Sequence, residues 1–211
     1  MSTDARVPIA VFVSGNGSNL QALLDVERAD PSWPACIRLV VSDVPGCRAL
    51  ARAQAAGVEV FAARPADFPD KASFERAVLA KLRARQVEWL ILAGYMRIIG
   101  PVLLSAYPNR ILNIHPSLLP AFPGRHAVRD ALAAGVAETG VTVHFVDEGI
   151  DTGPVIAQRR VPVRPGMTEE ELLAAIHAVE HQLYPEVIRR LLTRHEKGED
   201  AGGGLGIGQR V

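Results

Sequence analysis

Leu112-Asn113-Ile114-His115-Pro116-Ser117-Leu118-Leu119-Pro120 sets the architecture expected of this 211-residue chain. The chain enters it through Arg110-Ile111-Leu112 as a buried strand would, and leaves it on two prolines. Side chains alternate along a strand, so Asn113 and His115 project from one face. Pro116 cannot donate to a ladder, which ends the pairing and leaves the two residues at the strand's carboxyl end. Open α/β sheets place their ligand crevice there. A carboxamide that donates and an imidazole that donates, accepts or changes charge suit a reaction that develops an oxyanion and moves a proton. Taken alone, the pair also fits a strand end with a satisfied Asn and a core His, so the rest of the chain has to decide.

Outward from that strand the pattern is repetitive. Residues 7–13, 37–41, 58–62 and 88–93 read as buried strands, and 20–29, 46–56 and 71–85 as amphipathic helices between them. A short helix follows Pro101, and 125–134 reads as another, ending at Gly135. Such β-α alternation is the signature of a mostly parallel, twisted sheet with helices on both faces, a Rossmann-like α/β fold. Runs 139–146 and 155–163 are β-rich and separated by Asp147-Glu148-Gly149-Ile150-Asp151-Thr152-Gly153-Pro154, a loop that suits an antiparallel pair near the carboxyl end. Thr168 with Glu171 forms a capping box opening a helix to about Leu192, in which Pro185 predicts a kink or break. One domain over 1–193 is expected, with a phosphate-binding half (7–100) and a catalytic half (101–193). Residues 194–211, with Gly202-Gly203-Gly204, lack periodicity and are expected to form a flexible tail.

Composition removes several function classes. Hydrophobic residues make up 48% of the chain, too many for a disordered one. Lys plus Arg equal Asp plus Glu at 23 each, so no global field attracts nucleic acid or an anionic membrane. No apolar run approaches the roughly 20 residues of a spanning helix. The start Ser2-Thr3-Asp4-Ala5-Arg6 does not read as a signal peptide, and Cys36 and Cys47 lack ligand spacing. A cytoplasmic protein with free thiols is the expectation.

Two loops carry further chemistry. Ser14-Gly15-Asn16-Gly17-Ser18-Asn19 leaves the first strand and opens a helix, so its backbone N–H groups and the helix dipole can cradle an anion. Leu20 stands where a dinucleotide fingerprint needs its third glycine, and no lysine completes a Walker A loop. What remains is a cradle for one phosphate. In the late loop, Asp151 is a carboxylate that could hold the tautomer of His115 and stabilise its imidazolium, if the fold brings the two together. Spacing leaves open whether it does or is a solvated acidic turn.

Four segments then occur in a telling order: Val13-Ser14-Gly15-Asn16-Gly17-Ser18-Asn19-Leu20, Ala93-Gly94-Tyr95-Met96-Arg97-Ile98, the Asn113–His115 strand with its Pro-Ser-Leu-Leu-Pro exit, and Asp151-Thr152-Gly153-Pro154. Together they resemble the phosphoribosylglycinamide formyltransferases, the folate-dependent enzymes of purine synthesis, over about residues 7–190. The resemblance implies a catalytic trio of Asn113, His115 and Asp151. It implies that Gly17, Ser18 and Asn19 hold the phosphate of glycinamide ribonucleotide while Glu180 takes ribose hydroxyls. Met96, Arg97, Ile98 and Ile99, with Asp147, Glu148, Gly149, Ile150 and Asp151, would line the pterin site of folate, largely with backbone groups. Asn113 would also contact folate, with Lys71 turned to its glutamate tail. Lys71 stands where the family usually has arginine, keeping the charge but losing the bidentate fork. His144 reads as structural or supporting.

The implied reaction is direct attack of the substrate amine on the formyl carbon of 10-formyltetrahydrofolate, a co-substrate, with no metal. His177-x-x-x-His181 has helical metal spacing but no third ligand, and reads as helix surface. Partners are expected to be small molecules only, with no nucleic acid and no membrane, and the protein a monomer or homodimer. Three alternatives are weaker. A methionyl-tRNA formyltransferase would carry an extra carboxyl-terminal domain and a basic surface. A formyltetrahydrofolate hydrolase would add a regulatory domain before the first strand, which here has six residues ahead of it. A silent folate or nucleotide binder would not need the trio.

Overall fold

The computed structural model describes residues 6–196. Strand β1, Val7–Val13, is apolar at every position and buried at nearly all of them. Its side chains alternate between two cores. Val7, Ile9, Val11 and Val13 enter one, while Ala10 and Phe12 enter the other. A strand with two dry faces must sit inside a three-layer protein. It does: the seven-stranded sheet runs β3 (Val60–Ala62), β2 (Ala35–Ser42), β1, β4 (Trp89–Leu92), β5 (Ile111–His115), β6 (Glu138–Phe145), β7 (Val155–Pro162). Pairings from β3 to β5 are parallel, and β5–β6 and β6–β7 are antiparallel, as the sequence pattern predicts.

Helices α1 (Ser18–Ala29), α2 (Arg48–Ala55), α5 (Ala127–Ala133) and α6 (Glu169–Glu196) contribute to the first core. Helices α3 (Lys71–Ala84) and α4 (Pro101–Ala106) pack on the other. After β1 the chain builds β2 and β3 outward on one side, then crosses back to place β4 on the other side of β1. The strand order therefore reverses at β1, and the carboxyl ends of β1, β4 and β5 face a crevice at that reversal.

The capping box forms as expected: Thr168 N–H donates to Glu171 Oε2 at 2.8 Å, and Glu171 N–H to Thr168 Oγ1 at 3.2 Å. Of the kink or break expected at Pro185, the break does not occur: helix α6 runs through Pro185 and past Leu192 to Glu196. The missing N–H is offset by packing, because Leu183, Tyr184, Val187 and Ile188 around it are all buried. Arg194, placed in the expected tail, is thus helical. The remainder of that tail, residues 197–211, and the amino-terminal residues 1–5 lie outside the described residues.

Candidate active site

The crevice at the strand ends has a volume of about 880 Å³, near the upper end for a small-molecule site. One end is formed by the loop between β1 and α1. Gly17 takes φ +75°, the left-handed region in which glycine is favoured, and is the N-cap of α1 with no side-chain cap. A Cβ there would stand 2.5 Å from Ala49 Cβ of α2, so the position also needs glycine for space. The first-turn N–H groups of α1 therefore open on the crevice without a side chain to satisfy them, which makes an anion cradle. Arg52 on α2 stiffens the loop from behind, with Nε–H donating to Asn16 O at 2.8 Å.

Beside the cradle, Asn19 Nδ2 donates to Glu180 Oε2 at 2.8 Å. Both residues are buried, and Asn19 Oδ1 has no partner among the described residues. Burial pushes the Glu180 carboxyl up to about 7, with the Asn19 hydrogen bond opposing the shift. A protonated Glu180 would supply the donor that Asn19 Oδ1 lacks.

The other end lies where β5 meets the loop after β6. Asp151 is the hub. Its Oδ2 lies 3.4 Å from His115 Nδ1 and accepts the Gly124 N–H at 2.8 Å, while Oδ1 is 3.5 Å from Asn113 Nδ2 and 3.7 Å from His144 Nε2. Burial raises the Asp151 carboxyl, but hydrogen bonding with His144, the Gly124 N–H and the His115 charge outweigh it, so the group sits below its ordinary value and stays ionised. The Nε2 of His115 is 2.8 Å from Phe122 O. A carbonyl and a carboxylate are both acceptors, so only the imidazolium can donate at both of its nitrogens. Asp151 and Phe122 both have left-handed backbones, φ +54° and +51°, which is costly for a residue as bulky as phenylalanine. Gly153 holds the loop in place: a Cβ there would stand 1.8 Å from Phe145 O.

The trio anticipated from sequence is thus brought together. So are Gly17, Ser18, Asn19 and Glu180, and on the apolar side Met96, Arg97, Ile98, Asp147, Gly149 and Ile150, all around the one crevice. Ile99 touches it but is mainly a core residue, 3% exposed. Lys71 and Glu148 are exposed and do not line the crevice. Two histidines join the site, His144 in the supporting role expected of it and His177 against the expectation of helix surface. His144 pairs with Asn113 across the β5–β6 ladder; its Nδ1 donates to Phe145 O at 2.7 Å, and its Nε2 lies 3.1 Å from Asn113 Nδ2 and 3.7 Å from Asp151 Oδ1. Only the antiparallel register could have revealed this. His177 is not on open helix surface: it is half-buried, stacks on His181 with centroids 6.0 Å apart, and lines the crevice one turn from Glu180. Its i, i+3 spacing to Glu180 was the available signal.

Fold and site together define an α/β enzyme with an amide, an imidazole and a carboxylate gathered in the crevice beside the strand-order reversal. The chain belongs to the formyl transferase family, which matches it over residues 7–188. It is 48% identical over 192 residues to the phosphoribosylglycinamide formyltransferase of Bacillus subtilis, covering 91% of this chain and 98% of that one. It is 44% identical to that of Mycobacterium tuberculosis, covering 92% and 91%. The crystal structure of glycinamide ribonucleotide transformylase 1 from Geobacillus kaustophilus superimposes with a TM-score of 0.85 at 56% identity, over 89% of this chain and 99% of that one.

Proposed function

We propose that this enzyme transfers the formyl group of 10-formyltetrahydrofolate to the amine of 5-phosphoribosylglycinamide in purine synthesis. The observation that supports this most directly is the convergence of Asn113, His115 and Asp151 in one crevice with an uncapped helix N-terminus. The cradle takes the phosphate through Gly17, Ser18 and Asn19, and the Asn19–Glu180 pair meets the ribose hydroxyls. The apolar side chains of Met96, Ile98 and Ile150, each about half exposed, offer a sandwich for a flat heterocycle.

The substrate amine attacks the formyl carbon, so an N–C bond forms and the carbon–N10 bond of the folate then breaks. Asn113 Nδ2 and His115 donate to the oxyanion of the tetrahedral intermediate. Donation by His115 Nε2–H requires it to exchange Phe122 O for the oxyanion. The proton lost by the amine passes to the leaving nitrogen, with Asp151 orienting His115 or a water that carries it. No enzyme nucleophile is needed: Ser117 is fully buried and its hydroxyl is held by Ala121 O at 2.6 Å. This reading carries with it a cytoplasmic setting, a metal-free reaction, small-molecule partners and a monomer or homodimer. Tetrahydrofolate should form from 10-formyltetrahydrofolate only when phosphoribosylglycinamide is added. Release of formate at the same rate without the amine would make the enzyme a hydrolase instead.

A further inference from the structure

A second polar assembly lies outside the reacting centre and joins the two ends of the crevice. Asp43 follows β2, and its side chain is 6% exposed. It does not line the crevice, yet each of its oxygens holds a residue that does. Oδ1 accepts the Ser14 hydroxyl at 2.5 Å, and Oδ2 accepts Arg97 Nε–H at 3.0 Å. Ser14 begins the anion loop. Its hydroxyl accepts the Met96 N–H at 2.8 Å, and its own N–H donates to Gly94 O at 3.1 Å.

Segment 94–99 needs such an anchor. It lies beyond the end of β4 and has no ladder partner. Tyr95 pins it inward, edge-on to Phe12 with centroids 5.3 Å apart, but Met96 and Ile98 point out, 48% and 50% exposed. A hydroxyl has one proton. Ser14 is best placed to accept from Met96 when that proton is committed elsewhere, and the Asp43 carboxylate is the acceptor that commits it. The same carboxylate fixes the Arg97 guanidinium through a charge-assisted bond.

We propose that Asp43 is a positioning residue for the folate subsite: through Ser14 and Arg97 it locks segment 94–99 in register with the anion loop. This rests on the folate reading of the crevice given above. Asp43 touches neither substrate, so its effect should appear in folate affinity rather than in the chemical step.

The experiment is steady-state kinetics on Asp43→Ala and Asp43→Asn, with calorimetry of 10-formyltetrahydrofolate binding in the absence of the amine substrate. In Asp43→Ala, KM and Kd for the folate should rise about tenfold, the equivalent of one lost charge-assisted hydrogen bond, while kcat and the KM for phosphoribosylglycinamide change by less than about twofold. Asp43→Asn keeps one acceptor and should recover part of the loss, and it carries the test if the alanine variant does not fold. Because the residues act through one chain of bonds, Ser14→Ala combined with Asp43→Ala should be no worse for folate than the worse single change. Equal losses for both substrates, or additive losses in the double variant, would overturn the assignment. Failure of the unaltered protein to bind 10-formyltetrahydrofolate would instead remove the folate reading itself.

Discussion

At the level of single residues, Glu180 makes the sharpest test. Its carboxyl sits at about 7 against an ordinary 4.5, because burial disfavours the anion. The folded state therefore holds a proton that the unfolded chain releases. That contribution to stability is fully present below about 4.5 and is lost as the pH rises through about 7. Glu180→Gln cannot ionise, and its amide can donate to the unpartnered Asn19 Oδ1 while accepting from Asn19 Nδ2. Denaturant unfolding should show the variant gaining on the unaltered protein by up to about 3 kcal/mol between about pH 5 and pH 8. Parallel stability curves would refute the buried proton. His115→Ala and Asp151→Asn remove an oxyanion donor and the charge that orients it, and each should cost about 10²–10³-fold in kcat with little change in either KM. A variant that turned over normally would remove its residue from the mechanism. The identities of these three residues were legible in the sequence. Their partners Phe122 and Gly124 were not, because each reaches the centre through a contact that no local spacing encodes.

Among the elements, the turn from β1 into α1 is the most constrained. Gly17 opens the anion loop and is also the point of closest approach of α2. Gly17→Val should therefore act twice. It should weaken phosphoribosylglycinamide binding far more than folate binding, and lower stability by about 1–3 kcal/mol through strain and overpacking against Ala49. Calorimetry with each ligand, alongside thermal unfolding, separates the two effects. Equal loss of both ligands would mean the loop does not hold the phosphate. Helix α6 teaches the converse lesson. Its start was readable from Thr168 and Glu171, because a capping box is local chemistry. Its passage through Pro185 was not, because the compensation comes from burial against the sheet.

Across the whole molecule, α6 fastens the sheet at the point where the site is built. Tyr184 is fully buried, and its hydroxyl donates toward Leu92 O of β4 at 2.8 Å, with Leu112 O of β5 3.2 Å away. Those carbonyls belong to the two strands that deliver segment 94–99 and the Asn113–His115 pair. Removing the hydroxyl takes away a hydrogen bond that ties α6 to both strands, whose carbonyls keep their ladder donors. Tyr184→Phe should cost about 1 kcal/mol of stability by chemical denaturation, and should reduce turnover more than a surface substitution of equal stability cost. If stability were unchanged, the hydroxyl would not be bridging the strands.

The chain's own pattern determined the alternating βα order, the antiparallel ending, the glycine turn that opens α1 and the Asn113–His115 pair on one strand face, while the resemblance added Asp151 to that pair. Each of these is written within a few residues: a period of two or of 3.6, a capping pair, a glycine turn, an Asn-x-His on one strand face. What only the tertiary structure decided was which distant groups meet. β6 pairs antiparallel to β5 with Phe145 opposite Leu112, and Asp151 reaches His115 because the loop that follows β6 folds back along the strand. Asn19 and Glu180 meet across 161 residues because α6 packs on α1. Lys71, apt in charge, was left outside the crevice lining because α3 lies on the other face of the sheet from α1 and α6. Local rules act over one turn or one strand, whereas a site at a switch point is assembled by long-range pairing and burial.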